Sequence, residues 1–61
     1  MRLIRLDEVM NCCGLARPTI YKYVAAGKFP KPVPLGGRAV AWVQAEVDAW
    51  IDDKIEKRIN M

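Results

Sequence analysis

The sequence predicts a mainly α domain with a small β-hairpin: three helices plus a two-stranded ribbon. Three observations carry that expectation. Apolar residues recur at helical spacing in two short runs, 7–13 and 17–26, separated by Gly14. Apolar β runs, Val33–Leu35 and Ala39–Val43, flank the paired glycines Gly36-Gly37. Beyond Gln44 a stripe of Val47, Trp50, Ile51, Ile55 and Ile59, spaced by 3 and 4, marks a third helix running to about Arg58.

The opening MRLIRL is either a short strand or an extended lead-in, with Leu3 or Ile4 on the core. The first helix is expected to open at Asp7, a favoured N-cap residue, with Glu8 in the first turn where the helix dipole favours negative charge. Val9, Met10 and Cys13 give it an apolar face, and Gly14 stops it in a left-handed conformation. In the second helix, Pro18 fits the first turn, Ile20, Tyr23 and Val24 form the buried stripe, and Gly27 is the stop. Residues 28–34, KFPKPVP, are extended because each proline lacks a donor and disfavours helix before it, and Phe29 anchors the segment. The prolines confine the first β run to an edge, as an isolated two-stranded ribbon requires. In the third helix Glu46 and Asp48 open the first turn while Lys54, Lys57 and Arg58 gather near the end, matching the dipole. Trp42 and Trp50 read as core, and an overhanging Ile55–Ile59 end would offer a surface to a second copy.

Helix, glycine turn, helix is the helix-turn-helix arrangement, whose second helix enters the DNA major groove. The outward face of that helix carries Arg17, Thr19, Tyr21 and Lys22, basic and hydrogen-bonding residues with no acid among them. Arginine and lysine bond guanine edges or phosphates, and hydroxyls suit phosphate oxygens. A hairpin after such a unit is a wing, with Gly36, Gly37 and Arg38 at its tip and the minor groove within reach of the arginine. Lys28 and Lys31 are further candidates for phosphate contact. The expected interface is therefore a recognition helix over 17–26 and a wing over 35–39, on double-stranded DNA.

Charge is unevenly spread. Residues 1–43 hold seven bases and two acids, net +5, and residues 44–61 hold three bases and five acids, net −2. A basic front and an acidic back suit a domain that turns one face to a polyanion. The 61 residues are expected to form a single domain over 1–61, burying only about 60% of the unfolded surface. No apolar run is long enough to span a membrane, and charges interrupt any signal-like stretch at the start, so the expected location is the cytoplasm with no membrane partner. Cys12 and Cys13 are adjacent, which disfavours a disulfide between them, and they read as small apolar fillers. With no histidine and only these thiols, the sequence offers no zinc site, no general acid–base pair and no nucleotide-binding glycine loop, so neither a metal, a cofactor nor catalysis is expected.

LDEV at 6–9, GL at 14–15, RPTIYKYVAAGKFPKPVPLGGRAVAW at 17–42 and EVDAWI at 46–51, taken in order, resemble the AlpA family of small phage-associated transcriptional regulators. That family is close in fold to the winged-helix domains of excisionases and MerR-type regulators. The resemblance spans nearly all of residues 3–58. It implies a winged helix-turn-helix, DNA binding, and transcriptional regulation or recombination directionality as the outcome. It places Arg17, Thr19, Tyr21 and Lys22 on the recognition helix and Gly36, Gly37 and Arg38 in the wing. This chain departs from the family pattern at Ala16 and Pro18, where serine is common, and at Lys22, where arginine is common. Losing the serine cap costs about 1 kcal/mol, and lysine cannot make arginine's forked contact.

The leading expectation is a sequence-specific DNA-binding regulator of prophage or mobile-element type. An excisionase-like factor that bends DNA for an integrase shares its chemistry. A small protein-interaction module with an acidic partner is the reading from a different class. Because one short domain contacts one short half-site, self-association, cooperative neighbours on DNA, or a second protein such as an integrase or RNA polymerase is expected.

Overall fold

The computed structural model describes residues 1–59, with side chains through Arg58. In order the elements are β1 (Leu3–Ile4), α1 (Leu6–Cys13), α2 (Arg17–Ala25), β2 (Val33–Gly36), β3 (Ala39–Val43) and α3 (Gln44–Ile59). The mainly α architecture and the hairpin stand as the sequence predicts.

The ribbon is not isolated, however. β1 pairs antiparallel with β3, Leu3 opposite Val43 and Ile4 opposite Trp42, so the sheet has three strands in the order β1-β3-β2. The Gln44 amide extends this ladder by donating to the Arg2 carbonyl at 2.8 Å. Two residues are too few for alternation to reveal a strand, but pairing leaves Ile4 buried and Leu3 exposed. β2 keeps the edge position that Pro32 and Pro34 require. Its register against β3 shifts between Pro34 and Gly36, a bulge that leaves Leu35 exposed.

The N-cap of α1 lies two residues before the expected Asp7. Arg5 is the N-cap, extended at φ −86° and ψ 169°, and no side chain caps the helix. The Val9 amide bonds the Arg5 carbonyl at 3.0 Å, which draws Leu6 into the helix and onto the core and moves Asp7 into the first turn. Gly14 ends α1 at φ +67°, with its N–H on the Met10 carbonyl. At the end of α2 the Gly27 amide bonds the Val24 carbonyl at 3.1 Å and the Lys28 amide bonds the Tyr23 carbonyl at 2.8 Å. Those two bonds with Gly27 at φ +73° form a Schellman motif, so the expected glycine stop acts through its positive φ.

The core is Ile4, Val9, Ile20, Phe29, Trp42 and Val47, one contiguous cluster drawn from every element except β2 and including the 28–32 connector. Trp42 is fully buried, and its indole Nε1–H donates to the Pro30 carbonyl at 2.9 Å. Trp50 is half-buried; its Nε1–H donates to the Lys28 carbonyl at 2.7 Å, and its ring meets Phe29 edge-on at 4.9 Å between centroids. The proline-spaced connector is thus clipped at two carbonyls, with Phe29 between them driven into the core. The α3 stripe leaves the core after Ile51, because Ile55 is exposed. Glu46 lies in the first turn as expected, whereas Asp48 falls beyond it. The expected place of the Ile59 side chain lies outside the described residues.

Cys12 is exposed and does not fill the core, while Cys13 packs against it. Burial, with Cys12 alongside, pushes the Cys13 thiol above its usual range, so it stays protonated near neutral pH.

Candidate nucleic-acid interface

α2 turns through about 100° per residue, which sorts its side chains into two arcs. Ile20 is fully buried, with Tyr23 and Val24 packed beside it. The opposite arc carries Arg17, Pro18, Tyr21, Lys22 and Ala25, all exposed. Thr19 sits at the border of that arc and is half-buried, less outward than its sequence position suggests.

An open cleft of about 620 Å³ runs between this arc, the start of α1 and the hairpin. Arg17 and Tyr21 line it from α2, and Arg38 and Val40 from the hairpin. The start of α1 and its lead-in contribute Arg5, Leu6, Asp7 and Met10. Tyr21 spans two roles there. Its ring meets the buried Trp42 ring edge-on at 6.2 Å, and the residue remains exposed at the cleft. Arg38 is held in the Gly37-Arg38 turn between β2 and β3, reached through Gly36 at φ +118° and Gly37 at φ +56°. A Cβ at either glycine would meet nothing within 4 Å, so the requirement for glycine there is conformational.

The described residues contain two ion pairs, Arg2–Glu8 at 3.4 Å and Lys57–Asp53 at 3.3 Å. Neither engages Arg5, Arg17 or Arg38. Three arginines therefore line one cleft with a single acidic residue, Asp7, which forms an ion pair with none of them.

The structure brings Arg17, Tyr21 and Arg38 together and keeps Lys22 on the same exposed arc, with Gly36 and Gly37 shaping the turn. It takes Lys28 and Lys31 elsewhere. Lys28 lines a second cleft with Leu15, Tyr23, Trp50 and Lys54, whose ammonium lies 5.1 Å from the Trp50 ring centroid. Lys31 lines a third with Val33, Val43 and Glu46. Arg5 is the cleft residue that the sequence pattern passes over. It precedes the helix-turn-helix, and the sequence offers no signal for it beyond its place among the seven bases of residues 1–43. Among the described residues no group of His, Cys, Asp and Glu is placed to hold a metal ion, and no helix is long and apolar enough to cross a membrane.

A helical hairpin whose second helix shares an arginine-lined cleft with the turn of a following β-hairpin has the architecture of a winged helix-turn-helix domain. The chain belongs to the family described as prophage CP4-57 regulatory protein (AlpA), whose model matches residues 2–55. It is 49% identical over 57 residues to the uncharacterized protein ORF88 of Enterobacteria phage P4, covering 93% of this chain and 65% of that protein. It is 35% identical over 60 residues to the DNA-binding transcriptional activator AlpA of Escherichia coli strain K12, covering 88% of this chain and 86% of that one. The chain thus spans just under two thirds of the length of the phage P4 relative.

Proposed function

We propose that this chain is a sequence-specific DNA-binding transcriptional regulator of prophage or mobile-element type, working in the cytoplasm without a catalytic step or a cofactor. α2 enters the major groove with Arg17, Tyr21 and Lys22 forward and Thr19 at the edge of the contact. The turn over 35–39 lies on the adjacent backbone or minor groove, with Gly36 and Gly37 letting Arg38 approach. One observation carries this reading: the exposed arc of α2 and the hairpin turn border one cleft whose arginines have no ion-pair partner among the described residues. Membership of a family of regulatory proteins and the likeness to a DNA-binding activator support it. Lys28 and Lys31, facing other clefts, contribute as longer-range positive charge.

A single module buries about 600–1,000 Å² on DNA, which is small for discrimination within a genome. The regulator therefore acts as cooperative neighbours, as a self-associated pair, or beside a second protein such as an integrase or RNA polymerase. The test is fluorescence anisotropy on duplexes tiled from around the chain's own gene, against scrambled duplexes, at several salt concentrations. One tile bound about 10³-fold more tightly than scrambled DNA is the expected result. Equal, weak and steeply salt-dependent binding to every duplex would refute sequence-specific regulation.

A further inference from the structure

Arg5 stands outside the helix-turn-helix pattern, yet it shares the cleft with the two arginines that the pattern nominates. We propose that this cleft seats a stretch of DNA sugar–phosphate backbone and that Arg5, at the residue before α1, is a phosphate contact placed between the recognition helix and the hairpin turn. The inference rests on the DNA-binding reading above.

Three features of the cleft support it. Arg5, Arg17 and Arg38 come from three separate stretches of the chain and line one cleft, where none of them is in an ion pair among the described residues; the likewise unpaired Lys28 and Lys31 each line a different cleft. Like charges gathered without partners repel one another until an anion joins them, and the planar guanidinium fork fits phosphate oxygens. The same cleft is lined by Leu6, Met10 and Val40, an apolar surface for the deoxyribose carbons between phosphates. Both α1 and α2 begin at the cleft, so the positive ends of two helix dipoles add to the guanidinium field. Asp7 opposes that field. Asp7 lines the cleft and its negative charge lowers the affinity for phosphate, so its removal strengthens binding, an effect that damage to the fold cannot imitate.

The experiment compares the full chain with its Arg5→Ala, Arg5→Lys, Asp7→Asn and Lys57→Ala variants on matched and scrambled duplexes across a salt series, with thermal melts of each. Arg5→Ala is expected to weaken binding about tenfold on both duplexes, to lower the log–log salt slope by about 0.9, and to melt with the wild type. Arg5→Lys keeps the slope, Asp7→Asn tightens binding several-fold, and Lys57→Ala changes neither. Unchanged affinity and slope in Arg5→Ala, while Arg17→Ala and Arg38→Ala weaken binding, would overturn the role of Arg5 and leave the DNA-binding reading intact. A wild type that binds no duplex would overturn both. A mononucleotide that displaces the duplex at micromolar concentration would make the cleft a pocket for small phosphate esters and overturn the backbone seat.

Discussion

The arginine cleft and the connector beside α3 have similar raw materials, a few cations and an aromatic ring, and put them to different uses. Around the connector and along α3 several polar groups have partners within the chain, although the Lys28 and Lys31 ammoniums are in no ion pair among the described residues. Trp42 and Trp50 donate to the carbonyls of Pro30 and Lys28, Lys54 lies over the Trp50 ring, and Lys57 is paired with Asp53. In the cleft, Arg5, Arg17 and Arg38 have no ion-pair partner among the described residues, and Tyr21 meets the Trp42 ring edge-on while staying exposed. Composition does not separate these regions; the cleft differs in gathering three unpaired arginines in one place, whereas Lys28 and Lys31 line separate clefts. A cation whose partners lie within the chain supports the fold, whereas one left without a partner is available to an outside anion.

The sharpest way to break this division is Trp42→Ala. Removing a fully buried indole costs about 3–5 kcal/mol, a large fraction of what a domain this small commands, and it frees the Pro30 carbonyl. Urea denaturation should show a severely destabilised or unfolded chain, and a stable, cooperative variant would contradict the assignment of Trp42 to the core. Arg38→Ala probes the other side. Losing one charge-assisted contact to phosphate is worth about 1.5–3 kcal/mol of DNA affinity, while stability stays within about 0.5 kcal/mol of the wild type. A variant that melts early but binds normally would place Arg38 with the structural cations instead.

Smaller effects sharpen the boundary. Trp50→Phe keeps an aromatic ring against Phe29 but removes the donor to the Lys28 carbonyl, a loss of about 1 kcal/mol in stability with DNA binding preserved. Gly14→Ala places a Cβ at φ +67° in open space, so its cost is purely conformational, about 1 kcal/mol. A neutral Gly14→Ala would mean that the α1–α2 turn relaxes out of its left-handed conformation. Both changes are measurable as shifts in the denaturation midpoint.

Punctuation made much of this fold legible. Gly14 and Gly27 mark helix ends because few residues adopt positive φ without strain, and Gly36-Gly37 between apolar runs marks a hairpin. Phe29 stood out as an anchor because it is a lone aromatic among prolines. What stayed hidden depended on partners distant in sequence. β1 is two residues long and becomes a strand only by pairing with β3. The N-cap moved from Asp7 to Arg5 because core packing of Leu6 outweighs local capping preference. The indole bonds of Trp42 and Trp50 span 12 and 22 residues, beyond the reach of local spacing. The candidate site divides the same way. Arg17, Tyr21 and Lys22 followed from helical geometry and Arg38 from the hairpin, but Arg5 joins them only once β1 and α1 are folded in place.

The division between the two regions is tested most directly by an NMR titration of the full chain with the tightest-binding duplex, following backbone amides and the indole N–H signals. Early and large shifts are expected at Arg5, Arg17, Tyr21, Gly37 and Arg38, with the Trp50 indole and residues 52–57 of α3 unmoved. Shifts concentrated on Trp50 and α3, with the arginine cleft silent, would place the DNA against α3 and overturn the assignment of the cleft.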